Sequence, residues 1–238
     1  MAGRLILAFD CAGSALSVAL GEGGRPLAAR REDRLRGHGE RLFGVIGDLL
    51  IETGLGYDDI DLIAVTRGPG SFTGLRIGLA AARGLGLAGG QPIVAATTFD
   101  LAAAALSEDQ KRQHQVVAVI DSKRQELFVE ARATEDRPAL EPFAAAPDHL
   151  DALLPPGPLL LCGDGAAKAA EALRVAGRKI VLPPDAMELD ARRLLPLAAA
   201  ADLEALPPVS PLYLRPPDVT LPNAERSKPG GTRTGSGG

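Results

Sequence analysis

Short apolar runs alternate along this chain with longer segments in which apolar residues recur every three or four positions. The short runs predict buried strands and the longer segments predict amphipathic helices, so the predicted fold class is α/β. The first half predicts three strands, a helix, a strand, a glycine-rich helix, a strand and a helix. The second half predicts a comparable order of elements, at residues 115–120, 125–132, 139–143, 148–154, 159–162, 165–175, 179–182 and 190–201. This shared order predicts two lobes of one design.

Changes in composition divide the chain. The N-terminal lobe is expected over residues 1–106, the C-terminal lobe over 107–206 and a closing segment over 207–217. A polar link, Ser107–His114, is expected between the lobes. Residues 218–238 are rich in Pro, Gly, Ser and Thr, so this tail is expected to be disordered.

The stretch from Leu62 to Leu87 joins a predicted strand, a Gly-Pro-Gly turn and a predicted helix. It is not a phosphate-binding P-loop, because Gly74 is followed by Leu and Arg rather than by Lys and Ser or Thr. It is not a dinucleotide-binding turn, because Thr73 stands where that motif has its third glycine. Two interpretations stay open: an ordinary turn capped by Ser71 or Thr73, or a helix N-terminus that binds an anion.

Small residues recur at every fourth position of this helix, at Gly74, Gly78, Ala82 and Gly86. This spacing places them on one helix face. A face with almost no side chains lets another backbone approach closely, so we expect it to pack against a partner. The first helix, predicted over residues 38–53, has an apolar face that includes Leu42, Val45 and Ile46.

The composition argues against several classes of function. With 238 residues, a net charge of −4 and a pI near 5.5, the chain has no broad basic surface and is not expected to bind nucleic acid by itself. No signal peptide and no membrane-spanning segment is expected. Cys11 and Cys162 lie far apart in the sequence and are expected to be reduced, buried thiols of a cytoplasmic protein.

Polar residues at predicted turns are candidates for chemistry. Asp10 and Asp121 end the first strand of each half, where paired carboxylates would hold phosphate or Mg²⁺ across a cleft; alternatively, Asp is a favoured turn residue. A remnant nucleotide or phosphate site would comprise Asp10, Gly68, Gly70, Ser71, Gly163 and Gly165. No metal site is expected, because His38, His114 and His149 do not include two histidines at the spacing that places metal ligands on one helix face.

The sequence GPGSFTGLRIG, which begins at Gly68, resembles the signature of the TsaB (YeaZ) family. Further stretches are similar to landmarks of that family: Phe9-Asp10 with Ser17-Val18-Ala19-Leu20, Gly37-His38-Gly39-Glu40, Asp121 to Phe128, Cys162 to Gly165, and Leu212-Tyr213-Leu214-Arg215. Together these stretches cover residues 4–215.

The resemblance implies an actin/Hsp70-like ATPase (ASKHA) fold of two ribonuclease-H-like lobes with mixed central sheets. It also implies a non-catalytic subunit that pairs with the paralogue TsaD and works with the ATPase TsaE. Their complex transfers a threonylcarbamoyl group to the adenosine beside the anticodon of tRNAs that read ANN codons. The interface with TsaD is expected to comprise Leu42, Val45, Ile46, Gly74, Gly78, Ala82 and Gly86.

The same resemblance carries expectations about ligands and assembly. The chain itself is expected to require no cofactor, with ATP or ADP at the interface of the complex. It is expected to meet tRNA only through the complex and to form a homodimer when alone. Two other hypotheses remain: an active nucleotide hydrolase or sugar-type kinase that uses Asp10 to anchor its metal, and a metal-dependent peptidase. The second is disfavoured because His38 stands alone on its predicted helix.

Overall fold

A computed structural model describes residues 3–33, 38–136 and 138–214, with the side chain of His38 excepted. The expected tail at 218–238 and the end of the closing segment, residues 215–217, lie outside the described residues. Within the described ranges, no helix is both long enough and apolar enough to cross a lipid bilayer.

The first sheet lies in the N-terminal lobe and has five strands. They are β1 (Leu5–Asp10), β2 (Ala15–Glu22), β3 (Arg25–Asp33), β4 (Leu62–Thr66) and β5 (Ile93–Ala96), in the order β3-β2-β1-β4-β5. The first three strands form an antiparallel meander, and β4 and β5 add in parallel. The central strand β1 is buried at every position, which agrees with its continuous apolar sequence.

Two long helices cover one face of this sheet, α1 (His38–Thr53) and α2 (Phe72–Gly89). The N-terminus of α2 is capped by Ser71, whose hydroxyl accepts the backbone N–H of Gly74 at 3.2 Å. Gly90 ends α2 with φ = 77°, a left-handed conformation that glycine adopts without strain. Two shorter helices follow β5, α3 (Thr98–Ala103) and α4 (Glu108–Gln113).

The second sheet repeats the arrangement of the first. Its strands are β6 (Gln115–Asp121), β7 (Leu127–Ala131), β8 (Phe143–Ala145), β9 (Leu159–Cys162) and β10 (Ile180–Val181), in the order β10-β9-β6-β7-β8. Again three antiparallel strands are followed by two parallel ones. The predicted α/β class and the repetition of one design are therefore confirmed.

The other α-helices of the described residues are α5 (Leu150–Leu153), α6 (Ala166–Val175) and α7 (Leu194–Ala199). Helix α7 follows the second lobe in sequence but packs on the first sheet: its Leu194, Leu195 and Ala198 share a core with Ile6 and Leu62. The same core includes apolar residues of the second sheet, namely Val116, Ala118 and Leu160. The two lobes are thus joined by continuous apolar packing.

Candidate functional site

The predicted partner residues of α1 are buried inside the chain's own lobe. Leu42 and Ile46 have no exposed surface and Val45 is 1% exposed, because all three pack with β1 and β2. This part of the interface prediction is wrong. The regular apolar face of an amphipathic helix is the one that its own sheet buries.

The small-residue face of α2 also points inward. Gly74 lies against the first hairpin turn, where an added Cβ would be 3.0 Å from the carbonyl carbon of Cys11 and closer still to its oxygen. At Gly78 the added atom would meet Cys11 and Val65, and Ala82 is fully buried. At Gly86 it would lie 3.0 Å from the side chain of Ile93. The close approach is real, but the approaching backbone belongs to this chain, so this prediction is corrected as well.

A different set of residues on α1 and α2 faces outward. Phe43 is 49% exposed, Ile51 82% and Leu87 89%. No atom lies within 4 Å of a Cβ added at Gly47 or Gly84. Ala80 is exposed as well. We call this surface the α1/α2 face and define it by Phe43, Gly47, Ile51, Ala80, Gly84 and Leu87. Removing large apolar side chains from water lowers the free energy, so this face is a candidate for docking.

A cavity of about 260 Å³ opens where α1 and α2 meet the sheet. Its lining is mostly apolar and includes Leu7, Phe43, Tyr57, Ile63, Leu85 and Ala88. Phe43 belongs both to this cavity and to the α1/α2 face, so the cavity is continuous with the candidate docking surface.

Asp10, the first candidate for chemistry, is buried with 1% exposure at the end of β1. Its Oδ1 accepts the backbone N–H of Ala12 at 2.9 Å and the hydroxyl of Thr66. Its Oδ2 has no hydrogen-bond partner among the described residues. Burial raises the pKa of Asp10, and the carboxylate of Asp164 adds to that rise, although the hydrogen bonds from Thr66 and Ala12 oppose it. This environment favours a neutral acid.

Asp121 occupies the matching place in the second lobe but has a different environment. Its Oδ2 pairs with Nζ of Lys168 at 2.8 Å and Nζ of Lys123 at 3.4 Å, and its Oδ1 accepts the backbone N–H of Lys123. Partial burial raises the pKa of Asp121, but these lysine contacts outweigh burial and hold the pKa below its usual value. Asp121 is therefore an ionised carboxylate whose oxygens are already occupied.

The glycines proposed for a phosphate site provide close contacts between chain segments. A Cβ at Gly68 would lie 2.7 Å from the carbonyl oxygen of Leu212, and one at Gly70 would lie 2.6 Å from that of Ala12. Gly163 similarly lies against the carbonyl of Val119, and Gly165 against Ile120 and Asp121. The N–H of Ser71 donates to the carbonyl oxygen of Ala12 at 2.8 Å. These glycines and Ser71 therefore pack neighbouring segments of the chain against one another.

Neither the cysteines nor the described histidines form a reactive group. Burial raises the pKa of the Cys162 thiol to about 12 and raises that of Cys11 as well, so both stay protonated. Nδ1 of His114 contacts the carbonyl oxygen of Gln110 at 3.1 Å, and His149 lies exposed beside Asp148. In the described ranges, no three His, Cys, Asp or Glu side chains cluster so that they could hold a metal ion.

Comparison with known proteins places these features in a family. The family model described as "TsaD: tRNA N6-adenosine threonylcarbamoyltransferase" matches residues 32–161. The Escherichia coli (strain K12) tRNA threonylcarbamoyladenosine biosynthesis protein TsaB is 37% identical over 123 residues, 52% of this chain and 52% of that protein. The solved structure of YeaZ from Pseudomonas aeruginosa superposes with a TM-score of 0.71 at 27% identity, covering 89% of this chain and 100% of that one. The chain belongs to the TsaB/YeaZ family.

This assignment confirms the resemblance and the predicted actin/Hsp70-like ATPase fold. The chain spans about half the length of the curated TsaB relatives that it matches. A shorter stretch of 60 residues is 42% identical to the tRNA N6-adenosine threonylcarbamoyltransferase of Erythrobacter litoralis (strain HTCC2594), covering 25% of this chain and 17% of that enzyme. This TsaB/YeaZ-family chain is therefore also similar to the transferase.

Sequence reasoning missed the outward face of these helices. The signal was present, because Phe43, Ile51 and Leu87 are large apolar residues that lie out of phase with the buried faces of α1 and α2.

Proposed function

We propose that this chain is a non-catalytic subunit that docks onto TsaD in the biosynthesis of threonylcarbamoyladenosine in tRNA. The observation that carries the proposal is the α1/α2 face, which exposes Phe43, Ile51 and Leu87 to solvent. Exposed apolar residues grouped on two adjacent helices favour a protein partner over a small ligand.

The similarity to the transferase supports the choice of TsaD. The region matched by the TsaD family model contains both α1 and α2. TsaD is therefore expected to have counterpart helices with a counterpart outward face. Two similar surfaces pack against each other around a two-fold or pseudo-two-fold axis. For the same reason, we propose that the chain forms a homodimer through the α1/α2 face when TsaD is absent.

The turns at the lobe ends support a non-catalytic role. Asp10 is buried and burial raises its pKa, while Asp121 is paired with two lysines. A Mg²⁺-bound nucleotide needs accessible carboxylate oxygens. The described residues do not fit such a ligand held by this chain alone, so an active hydrolase or kinase is not favoured. We propose that ATP or ADP and TsaE act at the interface of the complex and that tRNA binds there too.

The docking proposal is tested with charge introduced on the α1/α2 face. Ile51→Glu and Leu87→Glu are expected to fold normally, because both side chains are more than 80% exposed. Each variant would bury a carboxylate when it docks and would lose an apolar contact. Loss of a central apolar contact costs about 2 kcal/mol or more of binding free energy. This cost corresponds to a loss of affinity of about 30-fold. The measurement is the dissociation constant for TsaD by isothermal titration calorimetry, with the mass of the isolated chain by light scattering.

Val175→Glu is the matched control, because Val175 is 87% exposed on α6 of the other lobe. It is expected to leave both the affinity for TsaD and the oligomeric state unchanged. Wild-type affinity in Ile51→Glu and Leu87→Glu would show that TsaD docks elsewhere. An intact dimer in both variants would reject the proposed homodimer surface.

A further inference from the structure

One stretch of this acidic chain carries only positive charge. Between Leu62 and Phe99 there are three arginines, Arg67, Arg76 and Arg83, and no aspartate or glutamate. Among the described residues, none of the three forms an ion pair with a carboxylate. The net charge of the chain is −4, yet within the described ranges these arginines on and beside α2 are not paired with carboxylates.

Two exposed aromatic rings lie in the same region. Phe72 is 37% exposed and Tyr213 38%, and their ring centroids are 5.3 Å apart with a tilt of 31°. The guanidinium carbon of Arg76 lies 4.0 Å from the centroid of the Phe72 ring, and its Nε is 3.4 Å from the hydroxyl of Tyr213. The whole chain has only six Phe and two Tyr, and one of each is partly exposed in this region.

These groups lie along one side of α2, and residues 209–213 contact that side. Phe72, Arg76 and Arg83 follow one stripe of α2, since their positions differ by four and seven residues. The guanidinium of Arg83 donates to the carbonyl oxygen of Val209, and the N–H of Leu212 donates to the carbonyl oxygen of Arg67 at 2.6 Å. These contacts bring Tyr213 beside the stripe. We call the resulting surface the arginine edge, defined by Arg67, Phe72, Arg76, Arg83 and Tyr213.

We propose that the arginine edge binds the backbone of an RNA strand. Arginines without carboxylate partners attract phosphates, and exposed aromatic rings next to arginine provide a stacking surface for an unpaired base. This inference rests on the proposed function, because a chain of net negative charge is expected to hold RNA only together with its partner subunit. The edge lies on α2 beside the α1/α2 face, so it stays next to the partner after docking.

The test uses the full chain in complex with TsaD and an unmodified tRNA transcript as the probe. Arg76→Gln and Arg83→Gln each remove one positive charge from the edge. If a variant loses one phosphate contact, the magnitude of the slope of log K against log salt falls by about 0.7–0.9. Taking equal affinities at 1 M salt as the reference, the variant then binds roughly five- to eightfold more weakly than wild type at 0.1 M salt. The matched control is Arg174→Gln, because Arg174 is an exposed helical arginine of the other lobe and should leave affinity and slope unchanged.

Three readouts separate the explanations. Binding of each variant to TsaD is measured first, so that failure of docking is distinguished from failure of RNA binding. Arg76→Lys keeps the charge and is expected to retain most of the salt dependence, which a purely structural role of Arg76 would not predict. An unchanged salt slope in Arg76→Gln and Arg83→Gln would overturn the proposal. Loss of TsaD binding with normal folding would assign the edge to an acidic protein surface instead, and would equally overturn it.

Discussion

Gly74→Ala tests which way the small-residue face of α2 points. The added methyl would overlap the carbonyl of Cys11, whose carbon lies 3.0 Å from the Cβ position and whose oxygen lies closer. The obstacle is backbone, so it cannot rotate away as a side chain does. To relieve the overlap, α2 and the first hairpin turn must separate by about 1 Å, which breaks close packing along both.

The magnitude follows from two opposing contributions. Overpacking of this kind costs about 3 kcal/mol when backbone has to move. Replacing a helical glycine by alanine returns about 1 kcal/mol through the greater helix propensity of alanine. The expected net loss of unfolding free energy is therefore about 2 kcal/mol, which lowers the melting temperature of a chain of this size by about 4–8 °C.

Gly84→Ala is the matched control for this prediction. Gly84 lies in the same helix, but no atom lies within 4 Å of an added Cβ. Only the propensity effect remains, so this variant is expected to gain about 0.5–1 kcal/mol. The assay is urea unfolding followed by circular dichroism for both variants. If Gly74→Ala is as stable as Gly84→Ala but no longer binds TsaD, the face is a partner interface after all and the inward assignment fails.

Two predictions concern the buried carboxylates. The first compares wild type with Asp10→Asn. As the pH rises from about 3.8, the ordinary Asp pKa, through the raised pKa of Asp10, wild type is expected to lose stability relative to the variant. The reason is that the unfolded chain releases the proton of Asp10 at a lower pH than the folded chain does. Urea unfolding at several pH values measures this difference, and a difference independent of pH would contradict it. In Lys168→Met, the lowered pKa of Asp121 stabilises wild type above the unfolded pKa, so the variant should lose up to about 1 kcal/mol at pH 7, a small value because Lys168 is more than half exposed. This loss should disappear as the pH falls through the pKa of native Asp121, and an equal loss in acid would show that the ion pair is not its cause.

Most of the fold could be predicted from the sequence because most of the strands are short apolar runs bounded by turn residues. The central strands β1 and β6 are buried at every position, so their pattern is unambiguous. Helix α4 was missed because its residues are polar throughout and none is buried. It is stabilised by a capping box between Ser107 and Gln110, a local signal rather than a periodic one. Strand β8 begins at Phe143, four residues after the predicted start, because its three residues carry little pattern.

Contacts between distant segments were beyond the reach of the sequence. Helix α7 looked like part of the second lobe, yet Leu194 and Leu195 complete the core of the first sheet. Nothing local distinguishes an apolar helix that packs on one sheet from one that packs on the other. The aromatic pair of Phe72 and Tyr213 joins residues that are 141 positions apart in the sequence and could be found only from the folded structure.

The error about the docking surface has a physical cause. Small residues at every fourth position specify how closely a backbone approaches a helix, but they do not specify whose backbone it is. In α2 the approaching segment is the turn at Cys11, from the same lobe. A helix that covers a sheet buries its most regular apolar face in the core of its own domain. Apolar residues out of phase with that face, here Phe43, Ile51 and Leu87, have no such internal use. They are therefore better evidence for a partner than the regular pattern is.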